Sequence, residues 1–476
     1  MEKVVLDATH AGDWTYRGEG AANLVLAYSG SSPRFVGKVL RVHKVSRSDS
    51  ECENALTALT IHECLLWKEI DDLVLAPTRE FAEHLYVQHV MCPLLGTDHV
   101  DSGTCVFVAK EFLEAVESNV LSQRPSWRIN DAISNTQCES ALLLSDVSVF
   151  PRSTLKDEFC ISVEIKQPKC GFLPASRFIA DENYVKRCIT RFKMHQALKL
   201  HQGKVSKISE YDPLDLFSGS LETVNKAMKD LIVTPQNNLR VFLNGTLIFG
   251  GSGGLADPTC CLNEELLEDA LKCVIQAEDG MRTTNFLHLV AEAVCRPGLL
   301  DRLLEVQKLD KLDIEGAIHA YYNVISQPCP ICRVFKENEK KLLERYTSLH
   351  SDPLSKSLKI VKDYLIAATA KDLSIMISFR PTEKRVMGSS NDIVSLKLNS
   401  QCFEYKASFI DLDMKPLKKM AYYFELDQKI VRHYSQMVKS NIYSERVASI
   451  KDTLHHEQTS AVEDVSHTRD SSVIGA

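Results

Sequence analysis

The order of apolar and polar positions predicts a chain of mixed helices and strands. Ile161, Val163 and Ile165 alternate with Ser162, Glu164 and Lys166, the period of a strand with two unlike faces, and the run breaks at Pro168. Residues 13–42 predict a hairpin, with a strand at 23–28, a turn at 29–33 and a second strand at 34–42. An amphipathic helix is predicted over 49–70, an apolar strand over 141–150 interrupted by Ser145–Asp146, and a helix over 184–201 with Val185, Cys188, Ile189 and Phe192 as its apolar stripe. Residues 239–254 predict a hairpin turning at Asn244–Gly245. Residues 260–325 are mostly helical in pattern, 374–380 and 404–413 strand-like, and 415–438 helical with Pro416 in the first turn. After Ser444 the chain is polar with few large apolar residues, the pattern of a disordered tail. The whole is α+β, strand-rich toward the N-terminus and without internal repeats.

Length adds that 476 residues exceed one compact core, so two or more lobes are expected. No apolar run reaches the length of a membrane span, and the N-terminus carries acids and no apolar segment of the kind a signal peptide needs. Fifteen scattered cysteines fit reduced thiols, in cytosol or nucleus, better than a disulfide framework. Charge changes the picture more. The net charge is −7, yet the segment from Glu164 to Lys207 holds ten Lys or Arg against three acids, a local +7 that leaves −14 for the rest. Such concentration suits an anionic ligand, although a solvated basic face has the same composition.

Several constellations could carry chemistry. "RGEGAAN" (17–23) would let backbone N–H groups at Gly18 and Gly20 approach phosphates, with Asn23 as a further donor. Lys38 on the next predicted strand would complete a phosphate clamp, although two glycines before a strand also make an ordinary turn. Arg187, Arg191, His195 and Lys199 are four apart and share one predicted helix face, and no acid lies within 186–207. Asn237, Asn238 and Arg240 enter a strand, where amide and guanidinium groups suit a polyanion or merely cap a turn. Asp372 precedes a strand, and Asp411 and Asp413, expected on one strand face, follow 39 residues later. Phosphoryl transfer asks for one carboxylate near the nucleophilic hydroxyl and another on magnesium. His-Arg-Asp, Asp-Phe-Gly and Ala-Pro-Glu are all absent, so this is not a protein kinase. Lys415, Lys419 and Tyr423 recur at intervals of four near a predicted helix N-terminus. His319, Cys329, Cys332 and His350 form His-x9-Cys-x2-Cys-x17-His, the donor set of a closed structural zinc site.

Together "YRGEGAANLVLAY", "FVGKVLRV", "VEIK" with "PKCGFLP", "RFKMHQALK", "NNLRVFLNG", "KDLSIMISF" and "IDLDMKPL" resemble the inositol-pentakisphosphate 2-kinase family, most of all its plant members, over about 13–438. The resemblance implies a two-lobed inositol polyphosphate kinase-like fold, distantly protein-kinase-like, with a structural Zn²⁺. The expected N-lobe is 1–148, the C-lobe 149–440 and the tail 441–476. It implies transfer of the ATP γ-phosphate to the 2-hydroxyl of inositol 1,3,4,5,6-pentakisphosphate, giving phytate. Carried over by motif, Gly18, Gly20, Asn23, Lys38 and Arg41 would hold ATP phosphates, and Asp146 would lie by the hinge that holds the adenosine. Asp411 would bind Mg²⁺. Arg128, Lys166, Lys169, Arg191, His195, Lys199, Asn238 and Arg240 would surround the inositol ring, with Lys415, Lys419 and Tyr423 on further phosphates. Asp372 and Lys38 would be catalytic. The chain is expected as a monomer that uses neither nucleic acid nor membrane.

Two departures from the family pattern stand out. Lys419 replaces a frequent arginine, and Gln167 is inserted between Lys166 and Pro168. In an extended chain that insertion would point Lys166 and Lys169 to opposite sides, so a bulge at Gln167–Pro168 is expected to restore their common face. Two other readings stay open at this point: an inositol phosphate kinase of different positional specificity, and a zinc-stabilised polyanion-binding module without catalysis.

Overall fold

The two alternating-pattern regions fold into two separate sheets. The computed structural model describes residues 4–20, 22–47, 58–150, 159–166, 168–251, 263–333, 340–382, 393–396 and 400–440. The first sheet contains β1 (Val5–Leu6), β2 (Trp14–Glu19), β3 (Asn23–Tyr28), β4 (Lys38–Ser46), β5 (Thr104–Val108), β6 (Ala132–Ser134) and β7 (Ser140–Ser145). Its order is β1-β5-β7-β4-β3-β2, with β6 beside β4. The second contains β8 (Ile161–Lys166), β9 (Leu239–Leu243), β10 (Thr246–Phe249), β11 (Ser374–Thr382), β12 (Ile393–Ser395) and β13 (Cys402–Ile410), in the order β10-β9-β8-β11-β13-β12. Every pairing in it is antiparallel.

Each sheet has its own apolar core. Trp14, Leu24, Leu26, Leu40, Val42, Phe112 and Leu143 pack together over the first. Ile161, Val163 and Ile165, the apolar face of β8, join a much larger cluster with the helices that follow. Residues 59–100 lie early in the chain but pack into this second core, through Leu66, Trp67, Tyr86 and Leu95. The opposite face of β8 carries Ser162, Glu164 and Lys166 toward the first sheet, and Ser162 Oγ donates to Ser148 O at 2.7 Å. No helix among the described residues is long and apolar enough to cross a membrane.

Several boundaries differ from the sequence expectation, each for a local reason. Gly18 lies within β2, and the glycine motif spans the end of that strand and the turn after it, where Gly20 N donates to Asn23 O at 2.9 Å. The strand expected from 34 starts at Lys38, after a turn. Within 49–70 the helix is Ile61–Leu66, opened by a capping box of Thr60 and Glu63; residues 48–57 are outside the described set. The apolar run at 141 stops as a strand at Ser145.

The single helix expected over 184–201 is two. A 3₁₀ helix covers Asp181–Arg187, and an α-helix covers Arg191–His201, N-capped by Thr190, whose side chain accepts from Lys193 N. The Asn244–Gly245 turn is as expected, with φ of +48° and +77°. β13 ends at Ile410, and Asp411 has φ +61°, so Asp411 and Asp413 are not alternating strand residues. Pro416 precedes a 3₁₀ turn, Leu417–Lys419, that leads into a helix over 420–440, leaving Lys415 before it. The expected tail at 441–476 and the expected bulge at Gln167 lie outside the described residues.

One buried ionic cluster joins three distant segments. Lys186 Nζ donates to Glu315 at 3.0 Å, to Asp427 at 2.7 Å and to Asp313. Burial alone would favour the neutral amine, but Asp313, Asp427 and Glu315 hold it charged, well above the usual lysine range. Removing the cation would strand three buried carboxylates. Lys186→Met is therefore expected to cost roughly 3–5 kcal/mol of stability. Equilibrium denaturation checks this, and a loss below about 1 kcal/mol would show that the cluster is not a keystone of the fold.

Candidate active site

A cleft runs between the two sheets. Val25, Val39, Leu142 and Leu144 line it from the first sheet, and Phe242, Met376 and Phe409 from the second. Arg17, Gly18, Gly20, Arg41, Glu164, Lys166, Arg240 and Asp411 supply polar and charged groups to the same space. Glu19, next to Gly20, anchors the glycine turn: it is buried and accepts from Lys44 and from Arg124 Nε and Nη2 at 3.0 and 2.9 Å.

At the cleft, the cation on β4 that meets acids is Arg41. It donates to Asp413 and, at 3.3 Å, to Glu83. Asn23 stands beside it, and with its amide turned so that oxygen faces Arg41 it accepts from Nη2 at 2.9 Å and from Nε at 3.1 Å. Lys38 is three residues earlier, about 10 Å along the strand. It pairs in register with Ser145 at the end of β7, and its Nζ donates to Ser145 Oγ at 3.2 Å. Asp146 follows directly in the connection between the sheets. One of its carboxylate oxygens accepts from Ser148 N at 3.0 Å, the other from Arg17 Nη2 at 2.5 Å. Arg17 also donates through Nη1 to Gly245 O across the cleft. A Cβ at Gly245 would lie 2.4 Å from that nitrogen.

Asp411 sits at the mouth of the cleft. Burial pushes its carboxyl up; Lys166 and Arg41 oppose this, and the Glu164 and Asp413 carboxylates add to it. Glu164 itself is buried and accepts from Arg240 Nη1 at 3.4 Å. Crowded carboxylates on a positive-φ corner could hold a divalent cation, which favours oxygen ligands. Glu164 was missing from the sequence-based set. Its signal was the alternation of β8, which puts it on the same face as Lys166.

The basic residues gather beside this cleft. Lys415 Nζ donates to Asp372 Oδ2 at 2.9 Å. Burial works against the Asp372 charge, but Lys415, Lys169 and Arg191 outweigh it and keep the carboxyl below its usual range. Lys169 is pushed down to about 7 by burial, with Lys199, Arg191 and Lys166 adding repulsion and Asp372 opposing. His195 falls to about 3 through burial and the neighbouring Lys199, Arg191 and Lys169. Burial, with Lys204 and Arg191, also lowers Lys199. Tyr423 is half-buried beside Lys415 and Asp372, and burial raises its hydroxyl.

Not every expected residue joins this group. Arg187 leaves the helical row and donates to Ser176 O at 2.9 Å, because the chain breaks between the two helices. Arg191 stays in it, backed by Asp427 at 3.1 Å. Asn238 is buried; its carbonyl accepts from Lys166 N at 2.8 Å and its Nδ2 donates to Gln236 at 3.4 Å. Arg240 faces Glu164 in the cleft between the sheets. Arg128 stacks 4.1 Å over Trp127 with Glu19 and Arg240 among its charged neighbours, and its buried Nε has no hydrogen-bond partner among the described residues. Lys419 is exposed on the 3₁₀ turn.

Elsewhere, one donor atom from each of His319, Cys329, Cys332 and His350 lies within 4.8 Å of all the others. His319 Nδ1 is 3.2 Å from His350 Nε2 and 3.4 Å from each sulfur, and Cys332 Sγ is 3.4 Å from His350 Nε2. Bond lengths near 2.3 Å for Zn–S and 2.0 Å for Zn–N put tetrahedral ligand atoms about 3.3–3.8 Å apart. The four groups therefore fit a closed tetrahedral metal site. The Tyr346 ring stacks on His319 at 4.0 Å. The other group of acids at metal-like spacing, Asp313, Glu315 and Asp427, is filled by the Lys186 ammonium.

Comparison with known proteins agrees with this chemistry. The family model for inositol-pentakisphosphate 2-kinase matches residues 16–429. An inositol-pentakisphosphate 2-kinase of Arabidopsis thaliana is 55% identical over 452 residues, 94% of this chain and 99% of the relative. One from Oryza sativa subsp. indica is 49% identical over 91% of this chain and 96% of its own. One from Danio rerio is 31% identical over 93% of this chain and 98% of its own. With its motifs, cleft and full-length relatives in agreement, the chain belongs to the inositol-pentakisphosphate 2-kinase family.

Proposed function

We propose that the chain transfers the γ-phosphate of ATP to the 2-hydroxyl of inositol 1,3,4,5,6-pentakisphosphate, giving the hexakisphosphate. The observation that carries this is Asp372, an ionised carboxylate set among Lys415, Lys169 and Arg191. Five phosphates bring roughly −8 to −10 of charge, which a basic pocket of this density answers. A carboxylate at its centre would repel that ligand and is useful only for orienting and deprotonating the hydroxyl. Lys166, Lys169, Arg191, His195, Lys199, Lys415 and Tyr423 take the phosphates in this reading, with Asn238, Arg128 and Lys419 toward its edge.

The nucleotide lies between the sheets, which act as the N- and C-lobes of a kinase-like fold. Gly18, Gly20 and Asn23 face its phosphates. Arg41, rather than Lys38, is the strand cation assigned to them, because Arg41 meets Asp413 while Lys38 stands at the connection beside Ser145 and Asp146. Asp411, with Glu164 behind it, would hold Mg²⁺, which supplies charge neutralisation at the phosphates. The His319–Cys329–Cys332–His350 group would hold a structural Zn²⁺, since a closed four-donor site leaves no position for substrate. A polyanion-binding module without catalysis would need neither Asp372 nor Asp411. Incubation with ATP, Mg²⁺ and inositol pentakisphosphate, followed by separation of the products, decides between them. Product phosphorylated at another hydroxyl would retain the kinase and correct its specificity.

Asp372→Asn is expected to lower kcat at least about a hundredfold while substrate affinity is kept or improved, since Lys415 is freed for phosphate. Near-normal turnover would remove the role. Binding should also take up protons. Lys169, at about 7 in the free protein, is largely neutral at pH 8, and a polyphosphate raises it again. Affinity should fall as pH rises from 7 to 9. Calorimetry at pH 8 in buffers of different ionisation enthalpy should show uptake that Lys169→Met abolishes, and zero uptake in the native protein would contradict the assignment. For the metal, purified protein should contain about one equivalent of zinc. His350→Ala should lower zinc content and melting temperature together, with kcat per folded molecule unchanged. Metal-free protein of equal stability would exclude the site.

A further inference from the structure

Gln307 ends the Leu300–Gln307 helix with 0% of its surface exposed, and no motif or charge pattern singles it out. Its amide nevertheless ties together the two backbone segments that deliver the reacting groups. Nε2 donates to Lys169 O at 2.7 Å and to Ala370 O at 3.2 Å, and Oε1 accepts from Gly171 N at 2.9 Å. Both amide hydrogens and one lone pair are thus spent on backbone, as a buried amide requires. Ala370 lies two residues before Asp372, in the last turn of the Leu354–Asp372 helix. Lys169 has φ +70°, a conformation that a lysine holds only when its surroundings impose it.

The surroundings of both segments are equally specific. Tyr211 Oη donates to Pro168 O at 3.0 Å, and Gly171 lies so close to Phe217 that a Cβ would be 2.4 Å from its ring. On the other side, Asp310, one turn beyond Gln307, accepts from Lys371 Nζ at 2.7 Å, next to Asp372.

We infer that Gln307 is a positioning residue for the reaction: it sets the distance and orientation between Lys169, which meets substrate phosphate, and Asp372, which meets the hydroxyl. The inference rests on the roles given above to those two residues. Gln307 touches neither substrate nor nucleotide. It acts by fixing the carbonyls of Lys169 and Ala370 to one rigid point, so that the strained loop and the helix end move as one piece. Tyr211, Phe217 and Asp310 hold the same segments independently, so the fold survives its loss while their register loosens.

The test compares Gln307→Met, which keeps the volume and removes the hydrogen bonds, with the native full-length enzyme, normalised to stoichiometric nucleotide binding. The expected result is a kcat lowered roughly tenfold to a hundredfold, the scale of a misplacement of about 1 Å. KM for ATP should not change. A merely structural role would lower the nucleotide-binding fraction and leave kcat per site intact, and that outcome would overturn the inference. The second reading is a double-mutant cycle. In a Lys169→Ala background, Gln307→Met should cost less than about threefold, because the group it positions is gone. Full additivity would also overturn it. If Gln307→Met does not bind nucleotide stoichiometrically, Gln307→Glu, which retains the acceptor for Gly171 N, is measured with the same expectations. Native protein that fails to phosphorylate inositol pentakisphosphate would remove the functional reading itself. Active native protein with unaffected Gln307 variants would remove only this inference.

Discussion

Lys169, Arg191 and Lys199 repel one another around His195 beside the cleft, and burial together with that repulsion lowers both Lys169 and His195. The architecture answers that repulsion from behind, one cation at a time. Arg191 leans on Asp427, Lys415 on Asp372, Arg240 on Glu164, Arg41 on Asp413, and Lys371 on Asp310. Most of these carboxylates come from a different segment than the cation they balance. The helix over 420–440, the last turn before β11 and the strands β8 and β9 are therefore tied into this region by ion pairs between segments.

That arrangement also explains which cations remain adjustable. Lys186 is surrounded by three carboxylates and is locked. Lys169 is lowered to about 7 by burial first and by three neighbouring cations after it, with Asp372 as its opposing charge. The gradient from locked to adjustable runs from the buried cluster toward the open cleft. Asp427 connects its two ends by accepting from Lys186 and Arg191 together.

Much of this was legible in the residues, where local chemistry decides the outcome. The alternation of β8 and the Asn244–Gly245 turn depend on neighbours close in sequence, the His-Cys-Cys-His set on the donor chemistry of its four residues, and each appears as a unit in the structure. What sequence could not supply was breaks and registers. The helix expected over 184–201 splits because Thr190 captures Lys193 N, which removes Arg187 from the row. Asp411 leaves its strand through a left-handed backbone that no alternation rule anticipates. Alternation puts Lys38 and Arg41 on opposite faces of one strand, but only pairing with β7 and the contacts across the cleft show that one lies by the connection and the other by the acids. Gln307 was invisible for the same reason: its partners are backbone atoms 138 and 63 residues away.

The bare Cα of Gly245 satisfies two demands that do not have the same solution. The hairpin asks for a residue comfortable at φ +77°, which asparagine could also meet. The Arg17 contact asks for no side chain there, because its guanidinium occupies the place a Cβ would take. A substitution chosen from turn statistics would keep β9 and β10 together and still displace the Arg17 guanidinium from its contact with Gly245 O. One missing methyl group on the β9–β10 turn thus leaves room for the Arg17 contact that spans the cleft between the two sheets.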